Sequence, residues 1–279
     1  MSIAPRSALF VPATSEKMLL GARSLGADLI IVDLEDAVAP HQKAEARANL
    51  RSVIPAIRRD FNAPLLLRVN EFGSDECELD LVLAGELDLD GLVVPKVESH
   101  EVAPALRRDV RWHPGDDSIL LAGIESARGV AYAREIFESG FDLAYFGAED
   151  LIADLGGTRR QDNLEVLYAR SMVRIDGRLG GVGLLDQAYV SVRDDEGFRQ
   201  DAMFAKDLGY GGKICLHPRQ VSLANELFAP SAAEIAHARS VLDALAGGVG
   251  VVDGQMVDAV HRKMAEEVLR RAGLESDVN

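Results

Sequence analysis

A closed (β/α)8 barrel is the fold the sequence predicts, and three observations point to it. Eight short, near-continuous apolar runs recur between residues 7 and 216, the pattern of strands covered on both faces. Most are followed by a helix-like segment, at intervals of roughly 25–40 residues. Most also end in polar or charged residues, as barrel strands do at a catalytic face. A doubly wound open sheet is the alternative, because a count of strands does not establish closure.

The elements follow in order. Ser7–Val11 is a β-rich run closed by Pro12, and Thr14 or Ser15 can cap a helix with Lys17 in its first turn. Asp28–Val32 is the second strand, leading into Asp33, Glu35 and Asp36, and Pro40–Arg59 reads as an amphipathic helix. Pro64–Val69 is the third strand, with Arg68 and Asn70 at its end, followed by a helix near Cys77–Ala84. Gly91–Val94 is the fourth, ending in Pro95 and Lys96. Leu120–Ile124 and Leu143–Phe146 are the fifth and sixth, joined by a helix over Ala127–Gly140 and leading to Glu125 and Asp150. A helix near Asn163–Leu179 precedes a seventh strand over Leu185–Val192, and Gly212–Leu216 is the eighth, ending in His217. The barrel domain is therefore expected over residues 1–228.

Residues 229–279 exceed what a barrel requires. Ser231 caps a helix running to Ala246, glycines follow, Asp253-Gly254 makes a hairpin turn, and Asp258–Ala272 is a last amphipathic helix. A tail hinged on glycines suits a lid or an oligomer contact.

At 279 residues, 48% hydrophobic and 27% charged, the chain suits one large α/β domain. A net charge of −15 argues against nucleic acid as a general partner, though an anionic small ligand needs only a few local cations. No apolar run approaches the ~20 residues of a membrane span, and the N-terminus lacks a signal-peptide pattern. Cys77 and Cys215 are far apart and form no metal motif. A reducing cytoplasm is the expected location.

Glu125 and Asp150 are the expected centre. In a right-handed βαβ unit their strands are parallel neighbours, so two carboxylates meet at one end of the sheet. Such a pair either raises one partner's pKa or holds a hard cation. No His or Cys accompanies them, which favours Mg2+ over Zn2+, completed by water and a chelating 2-keto or 2-hydroxy acid. Arg68 offers a planar fork to a carboxylate or enolate oxygen, or pairs internally with Asp33 or Asp36. Asp33, Glu35 and Asp36 are expected to support metal waters or Arg68. Lys96 is a rival centre if it forms a Schiff base, against an ion pair with the acidic cluster. His217 is either a general base or a loop residue bonded to backbone. Gly211-Gly212-Lys213 and Gly156-Gly157 allow a phosphate or cofactor arm to approach.

These residues resemble the citrate lyase β-subunit-like branch of the aldolase/citrate lyase superfamily. The blocks that carry the resemblance are Arg6–Pro12, Gly26–Asp28 with Asp33–Val38, Lys43–Arg47, Arg68–Asn70, Pro95-Lys96, Gly123–Glu125, Phe146–Leu151, Gly212–Pro218 and Met256–Asp258. They span the chain. The resemblance implies a barrel binding Mg2+ through Glu125 and Asp150 and working on a C–C bond in citryl-, malyl- or citramalyl-CoA. It implies that Arg68 holds the keto-acid part and acts in catalysis, that Glu125 also borders the substrate, and that Phe10, Lys17, Leu216 and His217 contact the CoA thioester. It implies that Asp258 is catalytic and reaches a neighbouring subunit's site in a homotrimer or hexamer. Ala13 and Val260 depart from the family's usual glycine and proline. A citramalyl- or malyl-CoA lyase is expected. The alternatives are a citryl-CoA lyase, a citrate lyase subunit acting on an acyl-carrier-protein thioester, a malyl-CoA thioesterase, and a Schiff-base aldolase using Lys96.

Overall fold

Eight parallel strands close on themselves in the computed structural model, which describes residues 5–59, 63–113, 115 and 117–274. Residues 1–4 and 275–279, the outer ends of the two expected domains, lie outside the described residues. The chain divides into two compact units, residues 1–225 and 226–279.

In the first unit the order is β1 (Ser7–Pro12), α1 (Glu16–Ala22), β2 (Leu29–Asp33), α2 (Lys43–Arg58), β3 (Leu65–Arg68), α3 (Asp75–Glu86), β4 (Gly91–Val94) and α4 (Val102–Arg108). Then come β5 (Ile119–Ile124), α5 (Ala127–Ala131), α6 (Ala133–Glu138), β6 (Leu143–Phe146), α7 (Ala148–Leu155), α8 (Leu167–Leu179), β7 (Gly183–Asp186), α9 (Asp195–Leu208), β8 (Gly212–Cys215) and α10 (Pro218–Phe228), whose last residues enter the second unit. Each strand pairs with the next, and Ala8 opposite Ile214 closes the ring. The barrel is filled by one cluster drawn from every strand, including Ala8, Ile31, Leu66, Val93, Leu121, Leu185 and Ile214. It is a packed core, so chemistry is confined to the strand ends.

Three elements differ from expectation. The helix over Ala127–Gly140 is two short helices, because the backbone leaves helical geometry at Tyr132 (φ −112°, ψ 16°). The seventh strand is Gly183–Asp186, not Leu185–Val192. Its ladder stops where β6 and β8 stop offering partners, with Tyr145 opposite Leu185 and Lys213 opposite Asp186. The apolar residues beyond it lie in a loop, with Val190 exposed. Finally, Asp150 is not at a strand end but in the first turn of α7, after Gly147 as N-cap.

The second unit holds α11 (Ala232–Ala244), a two-stranded hairpin of β9 (Gly250–Val252) and β10 (Gln255–Val257), and α12 (Ala259–Arg271). Ser231 caps α11 in a full capping box with Glu234. Val241, Leu242, Leu245, Val257, Ala265 and Leu269 form its own small core.

Candidate active site at the carboxyl end of the barrel

The site starts from a strand register. Asp33 at the end of β2 lies opposite Arg68 at the end of β3, so the two side chains emerge at one level. Arg68 grips Asp33 with Nε and Nη2 at 2.8 and 2.6 Å, and its Nη1 lies 2.9 Å from Glu35 and 3.7 Å from Asp36. The guanidinium also stacks over Phe10 at 4.8 Å. Lys43, buried, pins the loop carrying Glu35 through the Leu34 and Glu35 carbonyls and Asn70. The internal pairing expected for Arg68 is thus present, and Arg68 still lines the cavity.

Lys96 links this cluster to the carboxylate pair. It sits in the left-handed region at φ 50°, an unusual state for a non-glycine residue. There its backbone N–H donates to Glu125 Oε1 at 2.8 Å, while Nζ lies 2.6 Å from Glu35, 3.6 Å from Asp150 and 3.9 Å from Asp36. Burial works against its charge, but Glu35, Asp36 and Asp150 outweigh that and hold its pKa above the ordinary lysine value. A protonated, ion-paired amine is the wrong state for a Schiff-base nucleophile. The ion-pair reading of Lys96 fits the geometry.

Glu125 is buried just beyond β5, and Oε1 also accepts from the Tyr145 hydroxyl at 3.0 Å. Burial pushes its carboxyl up to about 7; Arg68 counters this and Asp150 adds to it. Asp150 is about one-third exposed, with 37% of its side chain accessible. Both acids line one cavity of about 110 Å3 with Phe10, Arg68, Tyr145 and Leu216.

Among the described residues no cluster of three or more His, Cys, Asp or Glu could hold a metal ion. A cation in this cavity would have the Glu125 and Asp150 carboxylates beside it. That donor set fits Mg2+, which keeps several waters and is bound through one or two carboxylates plus substrate. The Glu125 carboxyl, raised by burial and by Asp150, is one whose charge a cation would relieve. Gly147 leaves the room, since a Cβ there would stand 2.4 Å from Glu125 Oε2.

The other expected residues are placed as follows. Leu216 and Phe10 line the cavity. His217 is half-buried and its Nδ1 accepts from the Arg219 N–H at 3.2 Å, which favours the loop role over a base. Lys17 is exposed in the first turn of α1. Asp258 belongs to the second unit, as N-cap of α12, with Oδ1 accepting from Val260 N–H and 2.9 Å from His261 Nδ1. The His261 hydrogen bond holds its carboxyl below the usual range. Gly156 is the left-handed C-cap of α7, a structural role.

Two features escaped sequence reasoning. Tyr145 reads as core, being an aromatic inside an apolar strand; its place opposite Gly123 was the available signal. Lys213 does not face a ligand. It is sealed with Arg170, Asp186 and Asp201 between β7, β8 and their helices, its Nζ 2.5 Å from Asp186 and 2.6 Å from Asp201.

A family model described as HpcH/HpaI aldolase/citrate lyase matches residues 6–218. The chain belongs to that family. This makes it an enzyme of the carbon–carbon lyase class. A citrate lyase subunit beta-like protein of Deinococcus radiodurans is 43% identical over 270 residues, covering 91% of this chain and 92% of that protein. A (3S)-malyl-CoA thioesterase of Cereibacter sphaeroides is 33% identical over 275 residues, covering 96% and 94%. The CitE protein of Mycobacterium tuberculosis, solved with magnesium, acetoacetate and coenzyme A, superposes with a TM-score of 0.83 at 32% identity, covering 98% of this chain and 99% of that one. The open-sheet alternative is excluded by the closed barrel.

Proposed function

We propose that this family member is a Mg2+-dependent lyase that cleaves a 3-hydroxy-acyl-CoA acid, of citramalyl- or malyl-CoA type, to acetyl-CoA and pyruvate or glyoxylate. The observation that carries the reading is the Glu125–Asp150 pair sharing one small cavity with Arg68. The magnesium, acetoacetate and coenzyme A held by the Mycobacterium tuberculosis protein support it, as does the pyruvate and magnesium in another structure of that protein.

Glu125 and Asp150 would hold the cation. When bound, Mg2+ supplies Lewis-acid stabilisation of the oxygen that gains charge as the bond breaks. In cleavage the hydroxyl proton passes to solvent water, the oxygen's electron pair forms the carbonyl of the keto acid, and the bond from the carbinol carbon to the thioester α-carbon breaks. Its electron pair passes to the thioester enolate, and the α-carbon then takes a proton. Arg68, locked by Asp33 and Glu35, offsets charge on the keto-acid oxygens without reorganising. Phe10 and Leu216 give the thioester an apolar wall, with Lys17 and His217 toward the CoA arm.

Asp258 is assigned the proton at the α-carbon. As a carboxylate it would take the proton from the acetyl-CoA methyl in the reverse direction, and as the carboxylic acid it would deliver that proton in cleavage. It acts in a neighbouring copy of a homotrimer, in a cytoplasmic enzyme. Exposed Met256, Val260 and Met264 flank it, an apolar surface of the kind that seeks a partner.

A second reading, hydrolysis of the thioester, is favoured by the Cereibacter sphaeroides relative. Incubation of the protein and MgCl2 with citramalyl-, malyl- and citryl-CoA separates the readings. A lyase releases acetyl-CoA and the matching keto acid. Free CoA with an intact hydroxy-diacid means a thioesterase instead, and inertness toward all three points to an acyl-carrier-protein thioester. Asp258→Asn is expected to retain magnesium and ligand binding while losing turnover.

A further inference from the structure

Glu125 is held asymmetrically. Its Oε1 accepts two hydrogen bonds, from the Lys96 N–H at 2.8 Å and the Tyr145 hydroxyl at 3.0 Å. Its Oε2 takes none from the described residues and lies against Gly147, in the space that a Cβ would fill. The tyrosine is placed for this contact by the sheet. Tyr145 lies opposite Gly123 in the β5–β6 ladder, and a Cβ on Gly123 would stand 2.5 Å from its hydroxyl oxygen. The absent side chain on β5 is what admits the hydroxyl on β6. Phe10 fixes the ring from its edge, with centroids 6.1 Å apart and planes at 84°.

On the reading of Glu125 as a magnesium ligand, we propose that Tyr145 is a positioning residue that restricts Glu125 to one-oxygen ligation through Oε2 and thereby biases the site toward Mg2+ over Ca2+. A carboxylate can offer a cation one oxygen or both. Ca2+ accepts bidentate carboxylates within a loose shell of about 6–8 oxygens, whereas Mg2+ requires near-octahedral geometry at about 2.0–2.1 Å and keeps its waters. An Oε1 already engaged by two donors is a poor second ligand. Turning the carboxylate to present both oxygens would strand a buried donor, which is costly. The Lys96 contact comes from backbone and survives any side-chain change, so the tyrosine hydroxyl is the part of the restraint a mutation can remove.

Isothermal titration of the full-length protein with MgCl2, and separately with CaCl2, tests this. Tyr145→Phe deletes one oxygen and keeps the ring. Its Mg2+ affinity is expected to fall on the order of tenfold, the usual effect of losing a ligand's outer partner. Its Ca2+ affinity is expected to hold or rise, so the preference between the ions collapses. Gly123→Ala crowds the same hydroxyl at 2.5 Å, and Glu125 Oε1 at 3.0 Å, without deleting either, and is expected to shift the ratio in the same direction. It carries the comparison should Tyr145→Phe fail to fold, as circular dichroism will report. Equal losses for both ions, or no change, in a folded variant overturns the inference. Glu125→Gln separates the two levels of argument. If it binds Mg2+ like wild type, the ligand assignment fails; if it loses Mg2+ while Tyr145→Phe keeps the wild-type ratio, only the role of Tyr145 fails.

Discussion

The barrel contains two charged clusters, and they are built on opposite principles. Behind β7 and β8, Arg170 and Lys213 meet Asp186 and Asp201 with all four residues buried. Two cations answer two anions, although Arg170 Nη1 has no hydrogen-bond partner among the described residues and Asp201 borders a cavity of about 680 Å3. Beyond the ends of β2 and β5 and in the first turn of α7, Asp33, Glu35, Asp36, Glu125 and Asp150 are met, among the described residues, by the Arg68 and Lys96 side chains. The second cluster is short of positive charge and opens onto a cavity. A balanced, sealed cluster is a structural device. An unbalanced one beside a cavity is where the proposed cation would sit, and charge balance is what distinguishes the two clusters.

The largest test of the contrast removes a carboxylate from the open cluster. Glu125→Ala or Asp150→Ala is expected to lower turnover by several kcal/mol of lost charge stabilisation, on the order of 10³-fold or more. The Mg2+ requirement should vanish with it, and Asp150→Ala, at a partly exposed residue, should change the melting temperature little. An active, EDTA-resistant variant would remove the metal role. The sealed cluster should respond the other way. Asp186→Asn or Lys213→Met strands a buried charge and is expected to cost about 3–5 kcal/mol of stability, read in urea unfolding. Mg2+ affinity in the protein that remains folded should be unchanged; a selective loss of Mg2+ binding would mean that the two clusters are coupled.

Much of this was legible in the sequence because strands buried on both faces write themselves as apolar runs. The limits have physical causes. Leu185–Val192 is one apolar stretch, yet only its first residues have ladder partners, and pairing partners are not written in the run itself. Asp150 follows an apolar strand, but the sequence does not distinguish a strand end from a helix's first turn. The acidic pair and Arg68 are conspicuous as charges in unusual places, whereas Asp258 is singled out only by the family resemblance. Tyr145 is not, because an inward aromatic looks like packing until its hydroxyl is seen on Glu125. Lys96 likewise reads as a side chain, whereas half of its contribution is a backbone N–H made available by a left-handed turn.

The smallest effect is the one with the clearest sign. Burial raises the Glu125 carboxyl to about 7, whereas in the unfolded chain it titrates near 4.3, roughly the model-peptide value. Between those values the folded, metal-free protein retains a proton that the unfolded chain has lost, so stability falls as pH rises through that window. Glu35, also raised chiefly by burial, adds to the same slope. The sealed cluster contributes with the opposite sign. Asp201 is depressed because Lys213 and Arg170 overcome its burial, so its stabilisation is intact above the carboxylate range and is lost only in acid. Melting curves in EDTA between about pH 5 and pH 7.5, compared between wild type and Glu125→Gln, isolate the Glu125 contribution. Wild type is expected to lose stability across that range, and Glu125→Gln to lose less, because it has no proton to release there. With Glu125 as the proposed magnesium ligand, Mg2+ would displace that same proton, so its affinity should climb over the interval in which the metal-free protein weakens. Parallel melting curves for the two proteins would show that Glu125 is already ionised in the fold, and the contrast between an unbalanced and a balanced cluster would then lose its electrostatic basis.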